Sequence, residues 1–507
     1  MRRSRFVAVG FAALSSLVLS PLGVDAATSF THVVVIVQEN RTPDNLFQGL
    51  CGPAVSPAPT PTRIIIPPTG HGQPMVLPAF SPRCNTKPSA SQYDILQSNW
   101  LDDAVSGGVV QPGVVPLANK YDLNHGHSGF VAMCDASTPK TCKMDGAAGV
   151  NCRGTCLPQP QFRYVDNSTG ILNPYLQMAR QYGWANYMFQ TNQGPSFPAH
   201  QFLFGGTSAP SADDDAKGIF ASENMTGTGG TGGSGVRAGC TAKKDTTVEL
   251  ISPAGETSKM YPCFEHQTMG DILTQSSVTW RYYSPRPGTI WTAPNAIKHI
   301  CKSSGFEGTC MGPEWKRHLD FRKVGVLKDI AACKLRSVSW VIPTGKNSDH
   351  AKDNDGDGPA WVASIVNAIG KSDSCDAGKG YWKNTAIVIT WDDWGGWYDH
   401  EPPTVLAGAG GDYQLGFRVP MIFVSAYTPL GYINNKRHEF GSVLRFAERN
   451  FGLKEGALNF SDARAMTDLR GFYDLSRTPR TFETIAAPKG ASDFIKDTSP
   501  ATGPDNI

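Results

Sequence analysis

The 507-residue chain has no excess of charge of either sign: 46 lysines and arginines face 44 aspartates and glutamates, a net charge of +2. A nucleic-acid binder needs a basic surface to displace counterions from phosphate, so nucleic acid is excluded as a structural partner. Charged residues make up only 18% and hydrophobic residues 40%, too little charge and too much apolar material for a disordered chain. Beyond the first thirty residues no stretch reaches about 18 uninterrupted apolar residues, so no transmembrane helix is expected. No Cys-x-x-Cys pair with a matching partner is present, which argues against a zinc cage. A glycine-rich run over 226–235 lacks the Lys-Ser/Thr ending of a phosphate-binding loop and is expected to be a flexible loop. No internal repeat and no long linker divides the chain.

What is present begins with an export signal. Arg2, Arg3 and Arg5 precede an apolar stretch from Phe6 to Leu19, and small residues close it at Val24-Asp25-Ala26, so residues 1–26 are expected to be a signal peptide. The product is then periplasmic or extracellular. Twelve cysteines, an even number, fit disulfides in an oxidising compartment. Cys134 with Cys142 and Cys301 with Cys310 are candidate local pairs, although sequence alone leaves the connectivity open. Residues 27–455 are expected to form one large domain, and 456–507 a polar C-terminal extension at the surface.

Three β-branched runs, Val33–Val37, Ala386–Thr390 and Val419–Ser425, are continuous rather than alternating, with Val338–Pro343 as a fourth. Such runs fit strands covered on both faces of a mostly parallel sheet. Amphipathic stretches at Asn173–Tyr182, Gly358–Ile369 and Gly441–Phe451 supply crossover helices, so the fold class is α/β. The first run exits into Glu39 and Asn40, the second into Asp392 and Asp393. Ligands of open α/β sheets bind beyond the carboxyl ends of the strands. Either pair alone reads as an ordinary polar strand exit. Brought together, three carboxylates raise one another's pKa unless a cation lies among them, and an oxygen-rich set suits one hard or borderline divalent ion.

Between these exits lies Gly194-Pro195-Ser196-Phe197-Pro198, a rigid turn at a helix entry. Ser196 is a candidate nucleophile, activated by a neighbouring cation; a plain helix-capping serine is the other reading of the turn. Prolines occupy its flanks, so this is not the Gly-x-Ser-x-Gly elbow of lipases. His125 and His350 lie in loop-like contexts where an imidazole could steady phosphoryl oxygens or protonate a leaving group, and His400 could support the carboxylate pair. Asp353, Asp355 and Asp357 match the first half of an EF-hand loop, but Ser364 stands where its bidentate glutamate belongs. A calcium site and a solvated acidic turn both stay open there. Asn40-Arg41-Thr42 is a formal glycosylation sequon, discounted because of the metal role read for Asn40.

These blocks together resemble a known family. Glu39-Asn40-Arg41-Thr42-Pro43-Asp44-Asn45-Leu46-Phe47 is similar to the Glu-Asn-Arg-Ser-Phe-Asp-x-x-Phe opening of the bacterial phosphoesterases. That family holds non-haemolytic phospholipases C and acid phosphatases within the alkaline-phosphatase-like superfamily. Lys143-Met144-Asp145-Gly146, the turn around Ser196, Ser348-Asp349-His350, Trp391–His400, Gly416–Pro420 and Ser442–Phe446 resemble further blocks of it in order. The resemblance implies a three-layer sandwich with a central, mostly parallel sheet flanked by helices. It also implies a divalent metal held by Glu39, Asn40, Asp392 and Asp393, Ser196 as a nucleophile that becomes phosphorylated, and His125 and His350 at the phosphate or leaving group. An acidic optimum follows if a histidine must be protonated, since its unperturbed pKa lies near 6.5. The chain departs from the pattern where Asp393 replaces Glu, Ala199-His200 replaces Asn-Arg, and Thr42-Pro43 replaces Ser-Phe. The expected substrate is a phosphate ester. Only about 55 residues follow the last block, so a phosphomonoesterase is expected first and a phospholipase C acting on phospholipid second. A phosphoanion-binding protein without activity is a weaker alternative, and the Cys-x-Pro-x-Arg signal of sulfatases is absent.

Overall fold

All four apolar runs form strands of one sheet. The computed structural model describes residues 29–51, 84–135, 142–222, 238–406, 413–454 and 456–501; the expected signal peptide and the glycine-rich run lie outside them. The strands are β1 (His32–Gln38), β2 (Gly183–Phe189), β3 (Trp280–Tyr283), β4 (Leu319–Asp320), β5 (Val338–Val341), β6 (Thr385–Trp391), β7 (Met421–Val424) and β8 (Tyr432–Glu439). They pair in the spatial order β4-β3-β5-β1-β6-β7-β2-β8. β1 runs parallel to both β5 and β6, β3 parallel to β4 and β5, and β2 parallel to β8. Only β7 opposes its neighbours, β6 and β2. The sheet is therefore mostly parallel.

Every residue of β6, and every residue of β1 after His32, is buried, so both faces of the sheet are covered. The helices that cover it include α1 (Pro43–Leu46), α2 (His127–Cys134), α3 (Asn173–Gln181), α4 (Ser196–Gly205), α5 (Gly325–Ala331), α6 (Gly358–Gly370), α7 (Phe440–Asn450) and α8 (Ala491–Lys496). Register assigns the faces. Val35 lies beside Trp340, whose indole donates to the Leu203 carbonyl of α4 at 3.0 Å. Gln38 lies beside Trp391, which meets the Tyr175 ring of α3 edge-on at 5.1 Å. Positions 35 and 38 point to opposite faces because side chains alternate along a strand. One layer thus holds α3, with α5, α6 and α8 packed together beside it; the other holds α4 and α7. The result is a three-layer α/β sandwich.

The expected helices are present with ends shifted by a residue or so, as at α7, where Glu439 caps the amides of Gly441 and Ser442. Residues 456–501 bury Leu469, Phe472, Ile485 and Phe494 against the domain. All twelve cysteines pair: Cys51–Cys84, Cys134–Cys142, Cys152–Cys156, Cys240–Cys263, Cys301–Cys310 and Cys333–Cys375. Both local pairs suggested by the spacing are among them. No helix of the described residues is long and apolar enough to cross a membrane.

Candidate active site

β1 and β6 end level with each other, Gln38 opposite Trp391, so the residues that follow leave the sheet side by side. Since Gln38 and Trp391 face α3, the next residues, Glu39 and Asp392, face α4. Asn40 then turns into the left-handed region at φ 64°, which asparagine tolerates better than most residues, and its N–H donates to Asp392 Oδ1 at 3.1 Å. Two glycines permit this close approach. At Gly395 (φ 65°) a Cβ would lie 2.3 Å from the Asn40 carbonyl oxygen, and at Gly396 (φ 74°) one would lie 2.4 Å from Leu123 Cβ.

The turn before Ser196 is held from inside. Gln190 Nε2 donates to the carbonyls of Asn192 and Gly194 at 2.8 and 2.9 Å, while its oxygen accepts from the Trp394 amide at 3.1 Å. This ties the turn to the exit of β6. Ser196 is the first residue of α4, and its Oγ lies 3.4 Å from Glu39 Oε2 and 3.3 Å from Asp393 Oδ2. The second Asp393 oxygen accepts from the Gly395 amide at 2.7 Å, which fixes the carboxylate.

His125 and His350 present their Nε2 atoms to the same centre. Each Nδ1 is anchored on a backbone carbonyl, His125 on Leu123 at 2.7 Å and His350 on Ala351 at 2.6 Å. The loop bearing His350 is stapled to the end of β1: Gln38 bonds the Asn347 carbonyl and the Asp349 amide, and buried Arg41 donates to the Asp349 carbonyl at 2.8 Å. The Asn40 amide lies between the imidazoles and the carboxylates. With its nitrogen toward Glu39 Oε2 and Asp392 Oδ1, both 3.2 Å away, its oxygen accepts from His125 Nε2 at 3.0 Å and His350 Nε2 at 3.1 Å. With a cation among the carboxylates, the oxygen is the end that would face them.

Glu39, Asn40, His125, Ser196, His350, Asp392 and Asp393 are all at most 1% exposed, and the contacts above join them into one cluster. Sequence reasoning missed a further member. His200 sits one helical turn after Ser196 on α4, 3.3 Å from Glu39 Oε1 and 3.7 Å from Asp392 Oδ2. The i, i+4 spacing from the serine was the available signal. Burial pushes His200 down to about 4, outweighing the charge of Asp392, so it is a neutral imidazole at ordinary pH. Asp392 Oδ2 is buried with no hydrogen-bond partner, and one donor atom from each of Glu39, His200 and Asp392 lies within 4.8 Å of the others. An orphaned buried carboxylate oxygen amid other lone pairs is what a divalent cation would satisfy, and the donor set fits one.

Other marked residues lie elsewhere. His400 does not support the carboxylate pair: it bonds Asp44 Oδ2 at 2.7 Å and Asp94 Oδ1 at 3.0 Å, in a separate buried network around Arg418. In the EF-hand-like loop, Asp355 pairs with Lys346 and Asp357 with Lys489, so these carboxylates are engaged by lysines. The Asn40 sequon is buried within the cluster.

The His400 network carries a pH dependence. Burial opposes protonation, but the charge and hydrogen bond of Asp44 and the hydrogen bond of Asp94 outweigh it and push His400 up to about 10. A histidine raised on folding stabilises fully below its unfolded value near 6.5 and loses that contribution as pH climbs through about 10. His400→Gln is therefore expected to lower unfolding free energy by about 2 kcal/mol at pH 6, with the gap to the parent chain closing by pH 10.5. Chemical denaturation at the two pH values measures it, and a gap that grows with pH would contradict the assignment.

The model of the phosphoesterase family matches residues 30–454. The chain belongs to the phosphoesterase family. Among its curated relatives, the phosphoesterase chain is 24% identical over 466 residues to the Hemolytic phospholipase C of Pseudomonas aeruginosa, covering 87% of this chain and 56% of that protein. It is 27% identical over 216 residues to the Non-hemolytic phospholipase C of the same organism, covering 37% and 30%. The Non-specific phospholipase C1 of Arabidopsis thaliana is 25% identical over 240 residues, covering 43% and 42%. This phosphoesterase thus spans about half, or less, of the length of these relatives. Among solved structures, a protein in the alkaline phosphatase superfamily from Vibrio parahaemolyticus overlaps 59% of this chain and 64% of its own at 9% identity and a TM-score of 0.31, a likeness too distant to bear on the site.

Proposed function

We propose that this protein is an exported, metal-dependent phosphoric ester hydrolase in which Ser196 is the nucleophile. The observation that carries the reading is Ser196 Oγ at the entry of α4, within 3.4 Å of Glu39 and Asp393, with two imidazole Nε2 atoms across Asn40. Glu39, Asn40, Asp392 and Asp393 would hold the divalent ion, whose positive charge would lower the pKa of the serine and offset charge on the transferred phosphoryl group. The Ser196 hydroxyl gives up its proton beside the carboxylates and Oγ attacks phosphorus; the ester bond to the leaving alcohol breaks as phosphoserine forms. His125 and His350, each held from behind by an Nδ1–H bond to a backbone carbonyl, aim Nε2 at the centre and, as imidazolium, would donate Nε2–H bonds to phosphoryl oxygens or to the departing oxygen. Water then releases phosphate and restores the hydroxyl. The paired cysteines support an oxidising compartment.

A phosphomonoester is the first substrate reading. Each site residue is almost fully enclosed, which suits a small phosphoryl group. Phospholipase C activity is the second, favoured by the printed names of the relatives. The deciding experiment follows p-nitrophenyl phosphate and phosphatidylcholine turnover from pH 4 to 8, before and after chelation. Chelation is expected to reduce turnover of p-nitrophenyl phosphate at least about 100-fold, with recovery on adding metal. Preferential release of phosphocholine would shift the reading to phospholipase C, and no turnover of either with metal restored would overturn it.

A further inference from the structure

Metal ligation by the strand-exit residues alone would make an all-oxygen site. The structure adds a nitrogen to it. His200 projects from α4 one turn beyond Ser196, and its two ring nitrogens have different partners. Nδ1 lies 3.3 Å from the hydroxyl of Tyr282, a buried residue on β3. That hydroxyl has one proton, donated to the Trp291 carbonyl at 2.7 Å, so toward His200 it can only accept. Nδ1 therefore carries the imidazole hydrogen, and the lone pair of Nε2 points at Glu39 Oε1 and Asp392 Oδ2, 3.3 and 3.7 Å away.

Three lone-pair donors do not converge in a dry interior without something positive between them. A proton on Nε2 would serve Glu39 alone and leave Asp392 Oδ2 without a hydrogen bond, as it is now. A cation would satisfy all three. Two ligands each about 2.1 Å from a shared ion lie roughly 3.0–3.4 Å apart at octahedral to tetrahedral angles; the 3.3 Å separation from Glu39 falls in that range, and the 3.7 Å one from Asp392 would close by a few tenths of an ångström on binding. Tyr282 then has the part commonly played by the partner of a metal-bound histidine, fixing the tautomer and the plane of the ring.

We propose that His200 Nε2 is a direct ligand of the divalent ion, making the site a mixed nitrogen–oxygen one that favours a transition ion of the Mn2+, Fe2+, Co2+ or Zn2+ class over Ca2+ or Mg2+. The proposal rests on the reading that Glu39 and Asp392 hold a cation. Imidazole suits borderline ions, whereas carboxylate, amide and water suit the hard ones.

The test uses the full chain, stripped with chelator and reloaded with one equivalent of Mn2+, read by pulsed electron paramagnetic resonance for 14N coupling to the ion. The parent chain is expected to show coupling to one directly bound imidazole. His200→Gln is expected to lose that coupling and to bind Co2+ at least about tenfold more weakly, with Mg2+ affinity changed far less. Tyr282→Phe should keep the coupling while weakening Co2+ binding. Bound Mn2+ without imidazole coupling in the parent chain would overturn the role of His200 and leave the metal-dependent reading standing. Failure to take up any divalent ion would overturn both. Coupling that persists in His125→Gln and in His350→Gln would assign the imidazole to His200 even if His200→Gln did not fold, and coupling lost in either would overturn the role of His200.

Discussion

Ser196→Ala is expected to lower turnover of p-nitrophenyl phosphate by about 10,000-fold or more, because a mechanism that passes through a covalent phosphoserine has no route around its nucleophile. The fold should survive the change. Ser196 is fully buried and its hydroxyl meets only carboxylate oxygens at 3.3–3.4 Å, so removing it deletes long hydrogen bonds and opens a gap of one oxygen. The cost in unfolding free energy is expected near 1 kcal/mol. Divalent-ion content measured alongside separates loss of the nucleophile from loss of the site: the Ala variant should still bind metal through its carboxylates. Acid quenching during turnover, followed by mass spectrometry of the peptide containing residue 196, should find phosphate on the parent chain alone. Turnover within tenfold of the parent would remove Ser196 from the mechanism.

The largest effect on stability is expected at Arg418. Its guanidinium is wholly buried and bridges Asp399 with two bonds of 2.9 and 3.1 Å, donates to the carbonyls of Asp94 and Asn186, and lies within 3.5 Å of Asp44 and Asp94 carboxylate oxygens. Burial drives Asp399 up to about 7, and the charge of Arg418 opposes that rise. Arg418→Met keeps most of the volume but leaves three buried carboxylates with His400 as their remaining cation. Breaking one partner out of such a group costs about 3–5 kcal/mol, a large part of the stability of an ordinary domain. The shift in denaturant midpoint at pH 7 measures it. The companion change Asp399→Asn in the Arg418→Met background is expected to recover part of the loss, because it removes the charge that the first change strands. A shift below about 1 kcal/mol would mean that water enters the network freely.

The sheet was legible where burial was two-sided. Val33–Val37 and Ala386–Thr390 are central strands with no exposed face, so their composition alone announces them. β2 hides the same position behind Gly-Trp-Ala-Asn-Tyr-Met-Phe, a sequence with no β-branched residue that becomes a strand through its neighbours β7 and β8. β8 carries exposed Asn435 and Lys436 along an edge, so it has no continuous apolar run. The reversed direction of β7 leaves no trace, since a buried run reads alike in either direction. In the site, strand ends pointed to Glu39, Asn40, Asp392 and Asp393, whereas His125 and His350 drew notice as imidazoles in loop-like contexts, with the family resemblance adding their place at the phosphate or leaving group. His200 lies inside Phe-Pro-Ala-His-Gln-Phe-Leu-Phe, where an apolar helix masks a polar residue turned toward the carboxylates. His400 illustrates the opposite error: nearness in sequence to Asp392 and Asp393 carried it into a different network.

The strand order also bears on how the chain assembles. Among the described strands β1 comes first in the chain and is one of the innermost of its sheet, yet its partners β5 and β6 begin more than 300 residues later. Until residue 391 exists, β1 has no neighbour on the side that later carries Asp392. Closing so long a loop is slow, and it comes after the entropy of ordering the intervening chain has been met. The carboxylate cluster at the ends of β1 and β6 is thus one of the last parts of the molecule to form.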